Sequence, residues 1–128
     1  MMIGYAMVGS NDMVKASAFY DALFASIGVG RLFVTPRGAV MYGTGFDKPF
    51  FGVTPPWDEQ TATVGNGTMV ALGAESREQV DQLHAKAIAL GAADEGAPGL
   101  RFPESGFYGA YFRDLDGNKL CAYRIGAA

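Results

Sequence analysis

A chain of 128 residues with one cysteine, one histidine and six tyrosines has few side chains suited to covalent or acid-base chemistry. Once ionised, the thiol of Cys121 is a nucleophile or a soft metal ligand, and the phenols of Tyr5, Tyr42, Tyr108 and Tyr123 are hydrogen-bond or proton donors. No His, Lys or Arg stands immediately beside Cys121 to favour the thiolate, so its plain reading is a small buried hydrophobe. Tyr5, Met69 and Cys121 together lack the second thiolate or imidazole that a Cu(I) site needs. His84 flanks the apolar stripe of a helical segment, a structural or solvent-facing position. Glu104 and Ser105 lie in a loop that could close over a site, and Arg31 and Arg101 suit either an anionic ligand or a surface carboxylate. Trp57, isolated in a connector, is a candidate for covering a cavity or meeting a partner.

The strongest positioning element is the stretch Phe107 to Arg124. Two aromatic and apolar runs flank Asp114-Leu115-Asp116-Gly117-Asn118, whose Asp-Gly and Asn suit a tight strand connection, so a hairpin is expected. Alternation along its second strand puts Cys121 and Tyr123 on one face and Leu120 and Ala122 on the other. Upstream, Ile3 to Gly9 reads as a strand with both faces covered, on which Tyr5 and Met7 share a side. Asp12 caps a helix carrying Ala16, Phe19, Leu23 and Ile27 at helical spacing up to Gly28. Arg31 to Thr35, Ala39 to Thr44 and Pro49 to Val53 read as short strands.

Pro55 to Gly67, with two prolines and a Gly-Asn-Gly ending, reads as a connector. Thr68 to Ala74 is then a strand, and Ser76 with Gln79 forms a capping box for a helix with Val80, Leu83, Ala87 and Leu90 on one stripe, ended by Gly91. A weak strand around Ala92 to Glu95 and a Pro/Gly loop reaching Gly106 precede the hairpin. The order thus repeats: Gly9 and Gly73 end their strands 64 positions apart, while Tyr42-Gly43 and Phe46 match Tyr108-Gly109 and Phe112 at a lag of 66. The expected class is α+β: two tandem βαβββ modules (1–54 and 68–128, connector 55–67) in one domain, forming a curled mixed sheet around a cavity with helices on the outer face.

Composition narrows the function. A chain of this length buries roughly two-thirds of its unfolded surface, so stability demands no disulfide, metal or cofactor. With net charge -3 and scattered cations it lacks the basic patch that nucleic acid needs. No apolar run approaches the ~20 residues of a membrane span, and without a basic, apolar start a cytoplasmic location is expected.

These features together resemble the vicinal oxygen chelate superfamily, which includes glyoxalase I, extradiol dioxygenases and bleomycin resistance proteins. The likeness runs through the first strand and Ala18-Phe19-Tyr20-Asp21, the Gly67 to Leu72 strand with Ser76-Arg77-Glu78, the Gly96 to Arg101 stretch, and Tyr108 to Arg113 leading into the Asp-x-Asp-Gly-Asn turn. In metal-using members a His on the first strand, a His or Gln on the fifth and a Glu on the last hold one divalent ion. By that resemblance Tyr5, Met69 and Cys121 occupy those places here. A neutral phenol and a thioether are poor ligands for Mg²⁺, Mn²⁺ or Zn²⁺, so the expectation is no metal, no cofactor and no catalytic residue of the family's usual kind.

What remains is a cavity lined by Tyr5, Met7, Tyr42, Met69, Tyr108, Cys121 and Tyr123, suited to a small, partly aromatic ligand. The resemblance to bleomycin resistance proteins implies sequestration by a homodimer. Two alternatives stand beside it: an enzyme of the glyoxalase or dioxygenase type, using non-family ligands or Tyr5 or Glu104 as acid or base, and a structural or regulatory dimer whose own side chains fill the cavity.

Overall fold

Asp12 and Ser76 each place a side-chain oxygen on the backbone N–H three residues on, of Lys15 and Gln79, and so start the two helices. In the computed structural model, which describes residues 2–126, these are α1 (Met13–Ala25) and α2 (Arg77–Ala89). Met1, Ala127 and Ala128, the ends of the two modules read from sequence, lie outside the described residues. The strands are β1 (Tyr5–Gly9), β2 (Gly30–Val34), β3 (Val40–Gly43), β4 (Phe50–Thr54), β5 (Val70–Gly73), β6 (Ala93–Phe102), β7 (Phe107–Arg113) and β8 (Lys119–Ile125). The order is β-α-β-β-β twice, as the sequence implies. The chain divides into two compact units, 1–66 and 67–128.

Each unit holds a four-stranded mixed sheet, β1-β4-β3-β2 in the first and β5-β8-β7-β6 in the second. β1 runs parallel to β4 and β5 to β8; the other pairs are antiparallel. One face of each sheet packs on its own helix. In the first unit Tyr20, Phe24, Tyr42 and Phe51 form a ring cluster with Leu23 and Val53 fully buried. In the second, Val80, Leu83 and Ala87 of α2 join Ala110, Phe112, Leu120 and Ala122, all fully buried.

Three expectations need correction. β6 is not a weak strand ending at Glu95 but a ten-residue edge strand that absorbs the expected loop. An edge tolerates Pro98 because half its backbone groups need no strand partner, and register shifts accommodate Gly96 and Gly99. β1 is not covered on both faces, since Tyr5 and Met7 are 56% and 39% exposed. The uniform 66-residue lag is also wrong for the later strands. With Gly9 and Gly73 each three residues before a helix cap, the registers match Gly52 to Cys121 and Met41 to Tyr111, offsets of 69 and 70. Tyr42 therefore corresponds to Phe112, not Tyr108.

The connector begins as part of the first unit. Asn11 accepts from the Ala62 N–H at 2.7 Å and donates to the Ala62 carbonyl, while Arg37 donates to the Trp57 carbonyl and lies 4.1 Å over its ring. Trp57 remains 79% exposed.

Candidate functional site

The sheet face opposite the helix is where each unit differs from an ordinary core. In the first unit that face carries Tyr5 stacked on Phe50 with centroids 5.0 Å apart, and Phe33 and Phe46 against Phe50. Alongside runs the row Met7–Gly52–Met41, set by the β1-β4-β3 register. A Cβ on Gly52 would run into the Met41 sulfur and the Met7 side chain, so glycine is what lets the two methionines close over the strand. The wall is apolar, aromatic and polarizable.

In the second unit the matching row is Ala71–Cys121–Tyr111. The thiol and the phenol face each other across the β7–β8 pair and interact directly, and Cys121 is fully buried. Burial pushes the Cys121 thiol above its ordinary range, against smaller opposing effects of Tyr111, Arg101 and Lys119, so the sulfur keeps its proton at neutral pH. Burial, then the neighbouring sulfur, raises the Tyr111 phenol as well. One step along the face, Tyr123 stacks on Phe107 at 5.6 Å, with Phe102 edge-on to Phe107. Met69 immediately precedes β5 and is 44% exposed.

Tyr42 and Tyr108 do not share these faces. Strand alternation turns both toward their helices: Tyr42 is buried and its hydroxyl meets Asp21 at 2.8 Å and the Ser17 carbonyl, and Tyr108 donates to Asp81 at 2.7 Å. Desolvation, then Asp21, raises the Tyr42 phenol well above its usual range. Arg31 makes a two-pronged pair with Asp21 at 2.9 Å, which holds that carboxyl low. His84 is nearly buried and bonds Asp94 at 3.0 Å, a structural position. Glu104 and Ser105 sit on a single 3-10 turn, Pro103–Ser105, before β7.

Sequence reasoning missed Met41, Phe50 and Tyr111. The last was within reach, because a turn closed by the Asp114 N–H on the Asn118 carbonyl pairs Arg113 with Lys119 and hence Tyr111 with Cys121. Also missed is a groove of about 610 Å³ in the first unit, of mixed polar and apolar lining, to which Ser10, Asn11, Arg37, Pro55, Pro56 and Glu59 contribute. It lies beside the connector, and the sheet-face residues above do not line it.

No protein-family model matches the sequence, nor does any curated protein. Solved structures do. A glyoxalase/bleomycin resistance protein from Albidiferax ferrireducens T118 is 39% identical, with a TM-score of 0.86 over 97% of this chain and 98% of that one. The chain belongs to the glyoxalase/bleomycin resistance family. The same fold recurs at 22% identity in a glyoxalase/bleomycin resistance protein/dioxygenase family enzyme from Burkholderia phytofirmans PsJN, with a TM-score of 0.72 over 96% and 98% of the two chains. It recurs again, at 22% identity and a TM-score of 0.68, in lactoylglutathione lyase from Agrobacterium tumefaciens, over 95% and 92%.

Within the glyoxalase/bleomycin resistance family, the places that carry metal ligands by resemblance hold a phenol stacked on Phe50, a thioether and a protonated, buried thiol. Such donors do not fit the family's divalent ion, which takes imidazole and carboxylate. Among the described residues no three His, Cys, Asp or Glu side chains are grouped to hold a metal. No helix among the described residues is long and apolar enough to cross a membrane.

Proposed function

We propose that this family member binds a small, partly aromatic molecule against its apolar sheet faces without a divalent ion, and sequesters it rather than transforming it. The observation that carries this reading is the Cys121–Tyr111 pair, a buried, protonated thiol where a carboxylate would be needed to hold the ion. Tyr5 and Met7 on the first unit's face, and Tyr123 and Met69 in the second unit, each supply aromatic and sulfur surface, which adapts to flat ligands. The name of the Albidiferax relative joins a glyoxalase to a bleomycin resistance protein, and this reading takes the second. The protein acts as a cytoplasmic homodimer in this reading, with Tyr5, Met7, Met69 and Tyr123 as ligand-contacting residues and Cys121 packed within the second unit's sheet.

A thermal-shift screen of aromatic antibiotics and metabolites in EDTA tests it. A ligand present at one hundred times its Kd should add about 2.7 kcal/mol, a rise of several degrees in Tm. Stabilisation that needs an added divalent ion, or turnover of a bound compound, would overturn the reading.

A further inference from the structure

The open face of the second unit is not merely apolar. Arg101 and Lys119 approach the same ring, each 5.5 Å from the centroid of Tyr111. Among the described residues no carboxylate lies within 4 Å of either. Arg113, on the same face, is already neutralised by Glu95 at 2.6 Å and also donates to the Gly117 carbonyl. Arg31, the other arginine singled out in the sequence, is paired with Asp21. A chain with net charge -3 therefore leaves two cations unpaired around one phenol.

Arg101 is also seated rather than dangling. Its guanidinium lies along its own strand over Gly96 and Gly99, where added Cβ atoms would come within 3.2 and 3.0 Å of its nitrogens, and it donates to the Ala97 carbonyl. Gly96 pairs with Tyr111 and Gly99 with Gly109, so the missing side chains open a trough that leads the guanidinium to the ring. One donor on Ala97 leaves the rest of the planar fork for an oxygen anion, which it matches in shape. The buried Cys121 beneath holds its proton and adds no negative charge.

We propose that the molecule bound at this face carries a carboxylate or similar compact oxygen anion on its aromatic body, held between Arg101 and Lys119 beside Tyr111. The inference rests on the small-molecule reading above and names the chemical class of its ligand. The aromatic body lies against Tyr123, and the anion supplies the charge that the two cations lack.

The test is a matched pair of probes, 2-naphthoate and 2-naphthamide, titrated by calorimetry in EDTA. The acid should bind at least about tenfold more tightly than the neutral amide at low salt, and the gap should narrow as salt screens the charges. Arg101→Gln and Lys119→Gln should each cut that preference several-fold and together abolish it. Arg101→Lys should recover part of the loss, because charge persists while the planar fork does not. Amide NMR spectra that overlay wild type away from β6 and β8 establish that the variants fold. Equal binding of acid and amide by the wild type, or a preference that survives the double substitution, overturns the anion site and leaves the binding reading standing. Binding of neither probe overturns both.

Discussion

Met7–Gly52–Met41 in the first unit and Ala71–Cys121–Tyr111 in the second occupy the same places in the same sheet register, yet they make opposite kinds of surface. The first puts glycine at the centre and lets a sulfur chain lie across it. The second puts a side chain at the centre, opposes it with a phenol and surrounds that phenol with cations. The backbone plan is duplicated; the chemistry is not. The central position of β4 or β8 decides whether thioethers lie across a bare strand or a thiol is set against a phenol.

The comparison breaks most visibly at Gly52. Gly52→Val must displace the Met41 side chain, which is only 4% exposed, and overpacking of this kind costs about 1–3 kcal/mol. Chemical denaturation should show a lower midpoint at unchanged slope. An unchanged midpoint would mean that Met41 moves freely and that the first row is not a packed wall.

The matching change in the second unit, Cys121→Ala, should cost about 1–2 kcal/mol at pH 7 for the lost sulfur and the space it leaves. It should also alter the alkaline limb. A thiol raised on folding contributes stability that is complete below the unfolded value near 8.5 and is lost as pH rises through the folded one. Wild type should therefore lose more stability than Cys121→Ala as pH rises above the unfolded thiol's value, at up to about 1.4 kcal/mol per pH unit. Parallel pH profiles would place the thiolate in contact with water.

A finer contrast lies on the helix faces. Tyr42→Phe removes a buried hydroxyl with two acceptors and should cost about 1 kcal/mol, whereas Tyr108→Phe removes a surface bond to Asp81 and should cost a few tenths. Equal costs would mean that the two tyrosines are equivalent after all.

That last pair shows what the sequence carried and what it did not. Helix starts were legible because Asp12 and Ser76 satisfy specific backbone donors, and the terminal hairpin because Asp-x-Asp-Gly-Asn suits few other conformations. Side-chain direction was harder. Counting from a matched Tyr-Gly put Tyr42 and Tyr108 in equivalent, ligand-facing places, but unequal loop lengths shift the repeat, and alternation turns both toward their helices. β6 was obscured because Gly96, Pro98 and Gly99 carry loop propensities that an edge strand overrides. Those same glycines seat Arg101, so the stretch hardest to read from composition is the one that equips the candidate site.

The central claim is that the second row holds a neutral thiol at the place where the family resemblance puts a metal-binding carboxylate. Metal content by mass spectrometry, on protein purified without a histidine tag and again after soaking in Ni²⁺, Zn²⁺, Mn²⁺, Fe²⁺ and Cu(I), tests it most directly. The account predicts far less than one ion per chain under every condition; one tightly held ion per chain, lost on Cys121→Ala, would contradict it.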